Sequence, residues 1–323
     1  SVKLEPSARE YFYKKLVEIY RDRNQSFGNA RLVNSIVDEA KMNLGLRVMQ
    51  AKDPNKLTED ELSTIKTEDI QKIYMPAVPS IADIPVDEDL LRESLGKLRS
   101  MLGLEKVKTE IEELVKLVRF YRETSKDFRN SFSLHAVFTG SPGTGKTTVA
   151  RILAQIYKSL GIIERGHLVE VDRQALVGGY IGQTAIKTGE MIDKAMGGVL
   201  FIDEAYSLTE GGNGDYGKEA IEIILKRMED RRGQFVVIAA GYTQNMERFL
   251  ESNPGLKSRF DRIFHFEDYN VSELMDIALD MFSDANVKLE KKAKEHLSNY
   301  FEFMHRHRDK FFGNGRAVRR VVE

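Results

Sequence analysis

Apolar positions follow two rhythms along the chain. From 88 to 124 they recur at helical spacing: Leu90, Leu91, Leu95, Leu98 and Met101, then Val107, Ile111, Leu114, Val115 and Val118. This predicts two helices parted at Gly103. Downstream come short, mainly apolar runs. They are His135-Ala136-Val137-Phe138-Thr139, Leu168-Val169-Glu170-Val171, Gly198-Val199-Leu200-Phe201-Ile202, Phe235-Val236-Val237-Ile238-Ala239-Ala240 and Ile263-Phe264-His265-Phe266. The unbroken run at 198–202 suits a strand covered on both faces. Alternating with helical stretches, the five runs predict an α/β fold on a five-stranded parallel sheet.

The two ends of the chain repeat each other. Residues 2–38 align without a gap to 287–323 at a constant offset of 285, with 14 identities in 37 pairs. Val2-Lys3-Leu4-Glu5 matches Val287-Lys288-Leu289-Glu290. Phe27-Gly28-Asn29 with Arg31 matches Phe312-Gly313-Asn314 with Arg316. Each copy reads as a helix, a Gly-Asn turn and a second helix. The expectation is a piece of a tandem protein. It would open in the closing part of one module, whose body lies upstream of Ser1, and carry most of a second, whose last helix is cut short. Between the copies, 49–87 is polar and broken by Pro54, Pro76, Pro79 and Pro85. Residues 53–87 therefore read as a linker, and 75–85 cannot hold a regular helix.

Composition narrows the classes. With no cysteine, thiolate metal sites, disulfide scaffolds and cysteine nucleophiles are excluded. There are 49 Lys and Arg against 50 Asp and Glu, a net charge of −1, which argues against a dedicated nucleic-acid binder. Apolar runs stay far below the roughly 20 residues that span a bilayer. The expected setting is cytoplasmic, with no membrane partner. His305 and His307, two apart on a helix, point away from each other and have no acidic partner for a metal site.

Chemistry concentrates in one motif. The first apolar run leads into Gly140-Ser141-Pro142-Gly143-Thr144-Gly145-Lys146-Thr147, followed by Thr148 and a helical stretch. This is G-x-x-x-x-G-K-T between a strand and a helix. Its glycines let backbone N–H groups curl round phosphates, and the helix N-terminus adds positive potential. Lys146 would reach the outer phosphates, and Thr147 would offer its hydroxyl to Mg²⁺. After the run ending at Ile202 come two acids. Asp203 would join the Mg²⁺ shell, and Glu204 would polarise the attacking water and take its proton. The implied cofactors are ATP and Mg²⁺.

These residues, with Ser258-Arg259-Phe260 and Gly313-Asn314-Gly315-Arg316, occur in the order and spacing of an AAA+ ATPase, which the chain resembles. Several further stretches resemble the CbbX and stage V sporulation protein K branch. They are Leu176-Val177-Gly178-Gly179-Tyr180-Ile181-Gly182-Gln183-Thr184, Ala240-Gly241-Tyr242 and Ser252-Asn253-Pro254-Gly255-Leu256. The resemblance implies the helical lid of a preceding module over 1–52, a nucleotide-binding core over 88–269 and a second lid over 270–323.

The resemblance also implies roles. Arg259 looks like an arginine finger that acts in trans on a neighbour's nucleotide, and Arg262 could assist it. Arg316 looks like a lid arginine reporting the γ-phosphate, with Arg31 its counterpart in the first lid. Leu102 and Gly103 sit where the family closes over the base. An asparagine that usually orients the water is missing; its place falls at Tyr242, with Thr243 adjacent. Tyr180-Ile181-Gly182 resembles the aromatic loop that grips a polypeptide in a ring pore, and the family implies a homo-oligomeric ring of six. The function expected is an ATP-driven protein-remodelling motor acting on a protein substrate that the sequence does not name. Alternatives are a nucleic-acid motor or loader, disfavoured by the charge, and a nucleotide-gated scaffold with little turnover.

Overall fold

A computed structural model describes residues 2–21, 29–49, 58–71, 85–124, 133–180, 182–211, 216–309 and 312–323. The chain divides into two compact units, 1–80 and 81–323. Ile181 lies outside the described residues, as does most of the proline-rich stretch at 75–85.

In the first unit, β1 (Lys3–Leu4) precedes α1 (Pro6–Arg21) and α2 (Asn29–Met49). The expected linker needs correction here, because its described part, 58–71, is folded. It forms α3 (Glu59–Ser63), β2 (Thr64–Ile65) and α4 (Thr67–Gln71). β1 and β2 pair in parallel, with Lys3 opposite Thr64 and Leu4 opposite Ile65. Ala8, Ile36, Ala40, Leu44, Ile65 and Ile70 form the core. Thr58 opens α3 with a reciprocal capping box to Glu61. Beside the core, Asp69 is fully buried and takes hydrogen bonds from Arg47 Nε at 2.9 Å, Arg47 Nη2 at 3.0 Å and the Lys66 N–H at 2.9 Å. The Asp69 bond holds the Arg47 guanidinium above its ordinary pKa.

The second unit opens with α5 (Glu88–Ser100) and α6 (Glu105–Glu123), parted at Gly103 as the pattern predicts. Asp87 caps α5 by accepting the Leu90 N–H at 3.0 Å. There follow β3 (Ala136–Gly140), α7 (Lys146–Ser159), β4 (Leu168–Val171), α8 (Arg173–Leu176), α9 (Gln183–Lys194) and β5 (Val199–Ile202). A short 3₁₀ turn at Ala205–Leu208 leads to α10 (Gly217–Asp230), β6 (Val236–Gly241), α11 (Thr243–Glu251), α12 (Pro254–Arg259) and β7 (Arg262–Phe266). Three helices close the chain: α13 (Val271–Asp284), α14 (Lys291–Arg306) and α15 (Gly315–Val322).

The five strands form one wholly parallel sheet in the order β4-β5-β6-β3-β7. The three central strands β3, β5 and β6 are buried along their whole length, which explains why they read as unbroken apolar runs, whereas the edge strands β4 and β7 expose Glu170 and Ile263. Phe138, Phe201, Ile238 and Phe264 face one core with α5, α6 and α7. Val137, Leu200, Val237 and Ala239 face the other, with α8 to α12. The C-terminal helices have a separate core of Leu274, Ala278, Phe301, Phe312 and Val318. The repeat is visible in the helices. α1 and α14 begin and end at positions 285 apart, and α2 and α15 each begin at or beside the repeated asparagine.

Candidate functional site

The loop between β3 and α7 rims a cavity of about 480 Å³. Its wall includes Gly140, Pro142, Gly143, Gly145, Lys146, Thr147 and Thr148 from the loop and α7. Asp203 and Glu204 come from the end of β5, Tyr242 from the end of β6, and Arg316 and Arg319 from α15. Residues separated by more than 170 positions in the chain thus meet at the C-terminal edge of the sheet. In a parallel sheet every strand delivers its following loop to that edge.

Local geometry explains the placement. Gly143 has φ +74°, and a Cβ there would lie 2.1 Å from the Gly313 carbonyl oxygen. Glycine is thus required where the loop meets the C-terminal helices. Thr144 is fully buried and ties the loop by donating to the Ser141 carbonyl at 2.8 Å. Lys146 Nζ donates to the Gly140 and Ser141 carbonyls at 2.9 and 2.7 Å. Burial lowers the Lys146 ammonium to about 8, against the opposing pull of Asp203. The lysine therefore lies folded onto its own loop, held by neutral carbonyls that an anionic ligand would replace.

Glu204 follows β5 in a left-handed conformation, φ 48° and ψ 43°, and its N–H donates to Asp203 Oδ1 at 3.1 Å. Both acids line the cavity. Tyr206 lies 6.2 Å from Tyr242, ring to ring. Burial, with Glu204 adding to it, raises Tyr206 to about 12 and shifts Tyr242 upward as well. Both phenols therefore stay protonated donors at neutral pH. Among the described residues no three His, Asp or Glu could hold an ion by themselves. Thr147 and Asp203 on one cavity wall suit a Mg²⁺ ion that arrives with phosphate oxygens as its other ligands.

Not every expected residue lines this cavity. Leu102 does, while Gly103 sits behind it, where a Cβ would meet Glu273 Oε1 at 2.7 Å. Ser141 and Thr144 shape the loop from behind. Thr243 is not among the lining residues and starts α11. Arg259 and Arg262 are also absent from the wall. Arg259 closes α12 and pairs with Glu229 Oε2 at 3.2 Å. Tyr180 stands 75% exposed between α8 and α9. Sequence reasoning missed Met101, Tyr269, Ile277 and Met281, which give the cavity an apolar end. Ile277 and Met281 are four apart on α13, a spacing that ordinary core residues share.

The chain matches known family models. Residues 136–268 match the ATPase family associated with various cellular activities (AAA), and residues 1–78 and 270–323 match the AAA lid domain. The chain is 41% identical over 237 residues to Stage V sporulation protein K of Bacillus subtilis (strain 168), covering 72% of this chain and 74% of that protein. It is 44% identical over 258 residues to the chromosomal Protein CbxX of Cupriavidus necator, covering 77% and 80%. It is 45% identical over 236 residues to Protein CbbX of Cereibacter sphaeroides, covering 72% and 76%. A solved structure of a Thermotoga maritima RuvB variant is similar at TM-score 0.46 and 21% identity, over 70% of this chain and 62% of that one, too distant to carry an argument. Among the described residues no helix is long and apolar enough to cross a membrane. The family matches, and relatives above 40% identical over most of their length, establish that the chain is an AAA+ ATPase of the CbbX and stage V sporulation protein K branch.

Proposed function

We propose that this ATPase is a protein-remodelling motor that works as a homo-oligomeric ring, with six subunits as the family implies, and threads a polypeptide past Tyr180 and Ile181. The loop backbone and Lys146 hold the β- and γ-phosphates. Thr147 and Asp203 hold Mg²⁺, which supplies charge neutralisation on the phosphates. Glu204, on the cavity wall beside Asp203, takes the proton of the attacking water. Tyr242, on the cavity wall where Thr243 is not, orients that water through its protonated hydroxyl. Leu102, Met101, Ile277 and Met281 enclose the base. Arg316 reads the γ-phosphate from the lid.

Arg259 acts in trans. It is not on the wall of its own cavity, and a fixed guanidinium stabilises transition-state charge on a neighbour's nucleotide. A head-to-tail contact of that kind closes into a ring.

The observation that supports threading is the exposure of Tyr180. A large aromatic at 75% exposure between Gly179 and Gly182 is costly in water and suits a sequence-tolerant grip on a chain. The test is turnover stimulated by a permanently unfolded, carboxymethylated protein. Tyr180→Phe keeps the stimulation. Tyr180→Ala keeps basal turnover within about threefold, as an exposed site away from the chemistry allows, and loses the stimulation. Stimulation of Tyr180→Ala equal to wild type would contradict threading. Stimulation by DNA alone would favour a nucleic-acid motor.

A further inference from the structure

Asn314 is fully buried and carries φ 44°, ψ −125°, a backbone conformation that side chains rarely adopt. It directly precedes α15, yet its side chain makes no cap to that helix. The amide turns instead to the other side. Its Oδ1 accepts the Tyr269 N–H at 2.9 Å. Its Nδ2 donates to Asp268 Oδ1 at 2.8 Å, to the Phe312 carbonyl at 3.2 Å and, at a long 3.5 Å, to the Pro142 carbonyl. One donor faces Oδ1 and three acceptors face Nδ2, so only one orientation of the amide satisfies the site. Strain of this kind persists only where the surroundings over-determine it.

The partners of Asn314 belong to three segments. Asp268 and Tyr269 form the hinge between β7 and α13. Pro142 belongs to the phosphate loop. Phe312 belongs to the turn before α15. The next residue continues the link, since the Gly315 N–H donates to the Gly143 carbonyl at 3.1 Å. Tyr269, which Asn314 fixes through its N–H, donates its own hydroxyl to the Thr144 carbonyl at 3.3 Å. The repeat places Asn29 at the same point before the second helix of the first hairpin.

From this network we infer that Asn314 is a positioning residue that transmits occupancy of the phosphate loop to α15 and the lid. A phosphate that draws Lys146 off the Gly140 and Ser141 carbonyls reshapes the loop. The Pro142 and Gly143 carbonyls then carry that change to Asn314 and Gly315. Asn314 passes it to the hinge at Asp268 and Tyr269, and so to the angle between core and lid. Glycine would accept the backbone more comfortably, so the asparagine is there for its side chain.

The inference rests on nucleotide binding at this loop, and the test separates the two. Hydrogen exchange of α15 is measured on the full chain with and without a slowly hydrolysed ATP analogue, beside the analogue's affinity by fluorescence. Asn314→Gly keeps the backbone conformation and removes the amide. In wild type the analogue slows exchange in 315–322, by about tenfold for a coupling of ordinary size. Asn314→Gly binds the analogue within about threefold of wild type, because the loop is intact, while that slowing is lost and kcat falls with KM little changed. Asp268→Ala, which removes one partner and leaves Asn314 in place, loses part of the slowing and serves as the readout if Asn314→Gly does not fold. A wild-type-sized response in both variants overturns the inference, as does a wild type that binds without any response in 315–322. Failure of wild type to bind the analogue overturns the nucleotide reading instead.

Discussion

The same helical hairpin occurs twice in this chain, in two different settings. In the second unit, the turn bearing Gly313, Asn314 and Arg316 is hydrogen-bonded to the phosphate loop, and Arg316 looks into the cavity. In the first unit, α1 and α2 carry the matching residues but form a core with β2 and α4. Beside that core the buried Asp69 pairs with the half-buried Arg47, both outside the repeat. Similar sequence therefore yields similar helices.

The comparison can be broken from either side. Asp69 is fully buried, and Asp69→Ala leaves the Arg47 guanidinium without its main partner. Losing a fully buried carboxylate that accepts hydrogen bonds from Arg47 and from the Lys66 N–H costs about 3 kcal/mol. The first unit should melt earlier by calorimetry, while ATP turnover by the second unit holds. Turnover falling in step with stability would show that the first unit supports the site. Next in size is Glu204→Gln. Removing the general base should lower turnover at least about 100-fold while ATP affinity is kept, measured by steady-state kinetics and nucleotide binding.

A smaller effect sharpens the electrostatics. Burial holds Lys146 near 8 without ligand, and phosphate oxygens would draw its pKa back up. A group whose pKa rises on binding contributes affinity that is fully present below its unliganded value and is lost as pH rises. Nucleotide affinity should be flat from pH 7 to about 8, then fall by up to about tenfold per pH unit, measured by titration calorimetry. A flat profile to pH 9.5 would mean that Lys146 is not depressed.

Legibility in the sequence followed from how local each feature is. The phosphate loop and Asp203-Glu204 are contiguous, and each follows an apolar strand, so their meeting at one sheet edge was readable. The parallel sheet was readable because its central strands β3, β5 and β6 are buried on both faces, which leaves unbroken runs. The fold of 58–71 was not. Its two-residue strand leaves no period to detect, and Asp69 looks like a solvated acid until Arg47 is seen against it. Ile277 and Met281 share their spacing with any core helix. The part played by Asn314 depends on partners up to 172 positions away in the chain. The exposure of Tyr180 was readable from its flanking glycines, whereas the pairing of Arg259 with Glu229 crosses 30 positions and left no local sign.

The most direct test of the contrast is a pair of matched substitutions, Arg316→Ala and Arg31→Ala, in the full chain. The repeat makes them equivalent in sequence, and Arg316 lines the cavity. Turnover at saturating ATP should fall about tenfold or more for Arg316→Ala, since a lost cation at a phosphate removes transition-state stabilisation. Arg31→Ala should keep the wild-type rate. Equal losses in the two variants, or a loss in Arg31→Ala alone, would contradict the assignment of the working site to the second unit.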